Sequence, residues 1–137
     1  MIKKLVHALG AATAAAALVL AAGTPALAYD NSVRTTDSDP GGRLEWTAYG
    51  DIVKVCDTEA DGYSVYGHVG YFISEYRVID AYDVSVGGNG KCVTVSNTTG
   101  SAYDLPEGYN ISLVVCLHNA SSPDFGTFCN WIEPYNG

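Results

Sequence analysis

Four cysteines are the residues of this sequence with the most definite chemistry, and they stand at Cys56, Cys92, Cys116 and Cys129. None of them is spaced C-x-x-C, and the chain after residue 28 holds only two histidines, His68 and His118. Zinc sites and redox motifs normally need that spacing or more imidazole ligands. We therefore expect two disulfide bonds and no metal site, an arrangement typical of exported domains.

The alternation of side chains along the predicted strands indicates how the cysteines are placed. Cys56 and Cys92 each share a strand face with polar neighbours, and Cys116 lies on the face opposite apolar residues. They are expected to point away from the main core, as staples over strand faces or edges and unlike the buried inter-sheet bridge of antibody domains. We predict that Cys116 pairs with Cys129, which closes a short hairpin, and that Cys56 pairs with Cys92.

Two other features have residue types that do chemistry. Asp57–Gly62 has oxygen ligands at alternate positions and glycine at the sixth, as a calcium loop does, but His68 stands where that loop needs glutamate. An acidic turn between strands is the interpretation we prefer. His68, with Ser64 or Asp61 nearby, has the chemistry of a general base, yet its alternating run predicts a strand histidine that faces solvent. No known catalytic motif accompanies it, so we expect neither enzymatic activity nor a cofactor.

Aromatic residues are the remaining candidates for contact with a ligand. Six tyrosines could form a stacking platform for sugars or a protein-contact surface: Tyr63, Tyr66, Tyr71, Tyr76, Tyr82 and Tyr103. Cross-strand packing is the competing interpretation for each of them. Trp46 and Trp131 are expected to pack in the core or at an edge.

The first 28 residues are predicted to be a cleaved secretory signal peptide. Lys3 and Lys4 precede an Ala/Leu/Val run, and Thr24–Ala28 ends in the small-x-small pattern that signal peptidase cuts, here before Tyr29. No second apolar run of that length follows, so we expect a secreted, extracellular protein without a membrane partner after cleavage. Loss of the two lysines moves the formal net charge from −8 to about −10, which argues against nucleic acid as a partner.

Residues 29–42 are polar and end in Pro-Gly-Gly, which predicts a flexible, extended N-terminal arm. Part of this arm has the extended-chain propensity that would let it add a strand to the sheet of a partner. The residues expected to contact that partner are Asn31, Ser32, Val33, Arg34, Thr35 and Thr36.

From residue 43 onward, short β-type runs alternate with turn signals, and no window has a helical period. The predicted strands are Leu44–Ala48, Ile52–Cys56, Tyr63–Phe72, Tyr76–Ile79, Tyr82–Val86, Lys91–Ser96, Asn110–Leu117 and Thr127–Ile132. We predict one all-β domain over residues 43–137, an antiparallel immunoglobulin/fibronectin-like β-sandwich of seven or eight short strands with two disulfides. Leu105–Tyr109 resembles the tyrosine corner of such folds, where a tyrosine hydroxyl bonds to upstream backbone.

Several segments resemble the small secreted proteins of actinobacteria: the Ala-rich leader, Val55–Gly62, Leu105–Tyr109 and Cys129–Trp131. In size, export and arm-plus-sandwich layout the chain is similar to the adaptor subunit of Streptomyces umbrella toxin particles. In that family the adaptor bridges a lectin subunit and the repeats of a large toxin protein. The resemblance implies that the arm inserts into the lectin subunit and that the sandwich docks on the repeat-containing toxin protein.

These observations predict a secreted, non-catalytic protein-binding module, an adaptor in an extracellular assembly whose N-terminal arm engages a partner. One alternative is a secreted hydrolase inhibitor that presents the disulfide-braced loop Asn119–Gly126. The other is a carbohydrate-binding module that uses the tyrosine face.

Overall fold

The computed structural model describes residues 29–121 and 126–137, so the predicted signal peptide lies outside the described residues. The strands of the described chain, in order, are β1 Asn31–Arg34, β2 Gly42–Thr47, β3 Ile52–Asp57, β4 Ser64–Ser74, β5 Arg77–Gly87, β6 Cys92–Val95, β7 Tyr109–His118, β8 Thr127–Ile132 and β9 Tyr135–Asn136. A single 3₁₀ turn over Ser101–Tyr103 lies between β6 and β7. No helix in the described ranges is long and apolar enough to cross a membrane.

Two antiparallel sheets pack face to face, which confirms the predicted all-β sandwich. One sheet has four strands in the order β1-β2-β3-β6, and the other has the order β5-β4-β7-β8 with β9 pairing β7 beyond the end of β8. The two runs predicted as separate strands around residue 80 form the single strand β5. A bulge explains the error, because Val69 pairs with Tyr82 while Gly70 pairs with Asp80, which leaves Ala81 as an extra residue in an otherwise continuous strand.

The core lies between the sheets and is built from the alternate residues of each central strand. Its fully buried side chains include Leu44, Trp46, Val53, Val55, Val65, Val69, Ile111, Leu113 and Val115. Each such aliphatic side chain contributes about 1.5–3 kcal/mol on burial. Gly67 faces inward where the sheets touch, and a Cβ there would lie 2.7 Å from Cγ2 of Val55, so glycine permits the close approach.

The segment predicted as a flexible arm is instead the first strand of the four-stranded sheet, so that prediction is wrong for its paired residues. β1 pairs with β2, and Val33 is only 5% exposed in the core. Thr35 continues the ladder, since its amide donates to the Gly42 carbonyl (3.0 Å) and its Oγ1 accepts from the Gly42 amide (3.0 Å). β1 has four residues of which only Val33 is buried, and its ladder hydrogen bonds to β2 hold it in the sheet.

The outer edge of β1 is also partly occupied. The Thr36 amide donates to the Phe128 carbonyl (2.9 Å), and Asn130 Nδ2 donates to the Arg34 carbonyl (3.0 Å). These bonds join the edge of one sheet to strand β8 of the other. Arg34 and Thr36 therefore already have partners on the edge of β1 that the sheet of a partner would meet.

Both predicted disulfides, Cys56–Cys92 and Cys116–Cys129, are confirmed. The first joins edge strand β6 to β3, where its two cysteines are register partners, and the second joins β8 to β7. Each bridge therefore lies within one sheet, as expected, and fastens an edge strand to its neighbour. Cys56 and Cys116 point outward but are 1% and 5% exposed, because the bridges themselves and neighbouring side chains cover them.

Candidate functional surfaces

The outer face of the five-stranded sheet carries a row of side chains set by strand register. His68 in β4 pairs with Asp83 in β5 on one side and with Val114 in β7 on the other, and Val114 pairs with Trp131 in β8. We call these four residues the aromatic–acidic row. With strands about 4.8 Å apart, the row spans about 14 Å across the sheet.

The imidazole of His68 lies between two carboxylates. Its Nδ1 is 2.6 Å from Oδ1 of Asp83, and its Nε2 is 3.1 Å from Oδ1 of Asp80. Only an imidazole with hydrogen on both nitrogens can donate to both carboxylates at once. The Asp80 side chain is 82% exposed and the Asp83 side chain 51%, so the cluster is open to solvent.

Hydrogen bonding within this cluster shifts two pKa values. Burial of Asp83 acts to raise its pKa, but hydrogen bonds from His68 and Tyr66 to the carboxylate outweigh burial and leave the pKa lowered. Burial, the hydrogen bond to Asp83 and the charges of both aspartates raise the pKa of Tyr66 to about 12. Tyr66 therefore keeps its hydroxyl proton beside a carboxylate that is held ionised.

The sequence-based candidates for a base site are not brought together. The described hydrogen bonds of His68 go to Asp80 and Asp83 in the next strand, and not to Ser64 or Asp61. A His–Asp pair at this distance can orient a base, but the second imidazole nitrogen faces a carboxylate rather than a nucleophile. The short turn between β4 and β5 was the sequence signal that could have identified Asp83, since a short hairpin turn fixes which residues of the two strands lie opposite each other.

The predicted tyrosine platform does not form as one surface. Tyr63, Tyr71, Tyr82 and Tyr103 pack against the core, and the rings of Tyr82 and Tyr103 meet edge to face at 4.8 Å. Tyr76 is 90% exposed at the tip of the β4–β5 hairpin. Only the half-buried Tyr66 lies beside the aromatic–acidic row.

The two tryptophans have opposite environments. Trp46 is fully buried in the core, in agreement with the packing role expected for it. Trp131 lies in the edge strand β8, one of the two positions expected for it, but its side chain is 63% exposed on the outer face of the sheet. Phe128, in the same strand, is 46% exposed and has a φ of 51°, a conformation that bulky residues rarely adopt. Its position at a register shift in β8 explains how the strand accommodates it.

The acidic turn after β3 uses its carboxylates to hold backbone. Asp57 is buried, and its two oxygens accept from the amides of Glu59 (3.2 Å) and Gly88 (2.7 Å). Asp61 accepts from the Tyr63 amide (2.8 Å). Within residues 29–121 and 126–137 there is no group of three or more His, Cys, Asp or Glu placed to hold a metal ion. Slight desolvation and the nearby aspartates raise the pKa of Glu59.

The end of the sandwich near the β2–β3 turn contains a buried carboxylate. Asp51 is 1% exposed and accepts from Asn136 Nδ2 (3.1 Å) and from the Leu105 amide (3.2 Å). Burial raises its pKa despite these two bonds. Leu105 is buried as in a tyrosine corner, but Tyr109 is 40% exposed and packs edge to face on Tyr71 at 5.8 Å. The resemblance to the tyrosine corner therefore extends to the leucine alone.

The outer face of the four-stranded sheet carries mainly cationic side chains, in contrast to the aspartates on the outer face of the five-stranded sheet. Glu45 lies between Arg43, whose Nε is 3.2 Å from Oε1, and Lys54, whose Nζ is 3.4 Å from Oε2. Lys54 also lies 5.4 Å from the centre of the Tyr29 ring. Arg34 in β1 is the register partner of Arg43, which adds a third cation to this face.

Comparison with known proteins adds no assignment to these surfaces. No family model matches the sequence, and neither the curated proteins nor the solved structures contain a significant match to the chain.

Proposed function

We propose that the protein is a secreted, non-catalytic protein-binding module that acts as an adaptor through the aromatic–acidic row. The observation that carries the proposal is Trp131, a large aromatic side chain that is 63% exposed and in register with Val114, His68 and Asp83. A tryptophan with an apolar neighbour and polar groups beyond it has the composition of an interface hot spot and one side of its rim.

Rigidity supports a binding role for this face. The Cys116–Cys129 bridge fastens β8 to β7 two residues before Trp131, so the side chain stands on a braced backbone. Binding to a rigid surface loses less conformational entropy than binding to a mobile one, and more of the contact energy is then available as affinity.

The leader and the disulfides support secretion, because disulfides persist in oxidising compartments. The resemblance to umbrella toxin adaptors suggests a lectin subunit and a repeat-containing toxin protein as partners. The arm insertion implied by that resemblance is not part of the proposal, since β1 belongs to the protein's own sheet. Binding is assigned to the sheet face instead.

The test is quantitative capture of proteins from culture supernatant by three immobilised forms of the secreted chain: wild type, Trp131→Ala and Tyr76→Ala. Tyr76 is the matched control, since it is an exposed aromatic residue away from the row. We expect Trp131→Ala to weaken capture of a specific partner by about 30-fold or more, in keeping with a hot spot of about 2 kcal/mol or more. Equal capture by all three forms would contradict the proposal.

Carbohydrate binding is the second candidate, and the same face favours it. Trp131 offers a ring for stacking, and Asp80 and Asp83 offer exposed acceptors for sugar hydroxyls. Retention on a polysaccharide column that is lost in Trp131→Ala, without capture of any protein, would establish this alternative. The inhibitor alternative relied on the loop Asn119–Gly126, of which residues 122–125 lie outside the described residues.

A further inference from the structure

Two arginines face each other across neighbouring strands on the outer face of the four-stranded sheet. Arg34 in β1 and Arg43 in β2 are direct register partners. Their neighbours Val33 and Leu44 are also register partners and point into the core, so both arginines point outward. Like charges directly opposite each other in an antiparallel pair destabilise the sheet.

The acid on this face, Glu45, does not pair with Arg34. Glu45 is engaged by Arg43 and Lys54, at 3.2 and 3.4 Å. In the described part of the chain, Arg34 has no carboxylate within ion-pair distance. Three of the five Lys and Arg residues after position 28 therefore lie on one face of a chain whose formal net charge is −8.

The Arg34 side chain has no packing role in the fold. β1 is held by the buried Val33 and by ladder hydrogen bonds, while the Arg34 side chain is exposed. A residue that breaks a local pairing rule without a packing role indicates a functional site more often than a structural one. Arginine pairs bind oxyanions well, because the guanidinium group forms two parallel hydrogen bonds with a carboxylate.

We propose that this face is a second docking surface, which binds an acidic segment of a partner protein on the side of the sandwich opposite the aromatic–acidic row. The cations lie on three successive strands, Arg34 in β1, Arg43 in β2 and Lys54 in β3. With Lys54 two residues along β3 from the register partner of Arg43, this places the backbones of Arg34 and Lys54 about 12 Å apart. Carboxylates on alternate residues of an extended peptide are about 7 Å apart and can reach more than one cation, whereas a single free anion reaches only one pair.

A peptide titration followed by ¹⁵N NMR tests the proposal. The probes are the acidic peptide Thr-Glu-Val-Glu-Thr and its neutral counterpart Thr-Gln-Val-Gln-Thr, added to the secreted chain at low ionic strength. We expect the acidic peptide alone to shift the resonances of Arg34, Arg43 and Lys54. We expect Arg34→Gln to weaken binding at least threefold, while Arg77→Gln, an exposed arginine in the other sheet, leaves it unchanged.

Several outcomes would overturn the proposal. Equal shifts from both peptides would show that charge does not direct binding, and equal weakening in the two arginine variants would show a non-specific attraction. Inorganic sulfate that competes at equimolar concentration would indicate a site for a free anion rather than for a peptide.

Thermal unfolding of Arg34→Gln supplies an independent readout. Because the substitution removes a positive charge whose register partner is also cationic, we expect its melting temperature to equal or exceed that of the wild type. A lower melting temperature would show that Arg34 stabilises the fold, which would remove the argument for a binding role. None of these results depends on Trp131, so this proposal and the proposed function can fail separately.

Discussion

The outer faces of the two sheets carry charge clusters that are reversed copies of each other. On the four-stranded sheet one acid, Glu45, lies between two bases, Arg43 and Lys54. On the five-stranded sheet one base, His68, lies between two acids, Asp80 and Asp83. Each cluster keeps an excess charge, positive on the first face and negative on the second when the imidazole is protonated. Two partners of opposite charge could therefore dock on opposite sides of one sandwich.

The two sheets share the features that stabilise the fold and differ in the side chains that their outer faces expose. Each sheet has a bridge that fastens an edge strand from the outside, and both inner faces are built from similar aliphatic residues. The outer faces differ in their side chains: one sheet has a salt-bridged cationic patch, and the other has an exposed tryptophan and a histidine. The sandwich is thus a common support for two different surfaces.

Removal of the disulfides should have the largest effect on stability. The Cys56–Cys92 bridge spans 36 residues and the Cys116–Cys129 bridge spans 13. Restriction of the unfolded chain predicts losses of about 4 and about 3 kcal/mol when each pair is replaced by alanine, with the longer loop losing more. Urea unfolding of the two double variants measures both values. A loss near zero for either pair would mean that its edge strand is held by packing alone.

Neutralisation of the acid in the cationic cluster should have the next largest effect. Glu45→Gln removes the shared partner of Arg43 and Lys54, and the Glu45 side chain is only 15% exposed. We expect a loss of about 1 kcal/mol in the free energy of unfolding, which shrinks in 0.5 M salt because the pairs lie near the surface. A loss that does not change with salt would contradict an electrostatic role.

Neutralisation of an acid in the other cluster should have a smaller, pH-dependent effect. Because the pKa of Asp83 is lowered on folding, its contribution is present above its ordinary pKa of 3.8 and is lost as pH falls through the lowered value. We expect Asp83→Asn to reduce stability by less than about 1 kcal/mol at pH 7, since the group is exposed. The difference from wild type should shrink as pH falls through the lowered pKa, as chemical unfolding at several pH values can show. A difference that is independent of pH would assign Asp83 a purely steric role.

The regular strands and the bridges were predictable because both depend on local alternation. A central strand shows its period directly in residues such as Leu44 and Trp46, and a cysteine out of phase with that period points outward. The β1 strand escaped prediction because it has four residues and Val33 is the only buried one, which is too short an alternation to show a period. The break predicted inside β5 had a similar cause, since a bulge shifts the phase without ending the strand.

The residues around the proposed surface could not be found in the same way. Asp80 and Asp83 follow His68 by 12 and 15 residues, and Trp131 joins the row through two further strand pairings. Which residues become neighbours depends on the register of each pairing, and a slip of one residue would turn every side chain to the other face. Residue order along the chain is enough to choose strands, their buried faces and the bridges. Which distant side chains become neighbours on an outer face depends on how the strands align in the folded sheet, because no single strand specifies the register of its pairings.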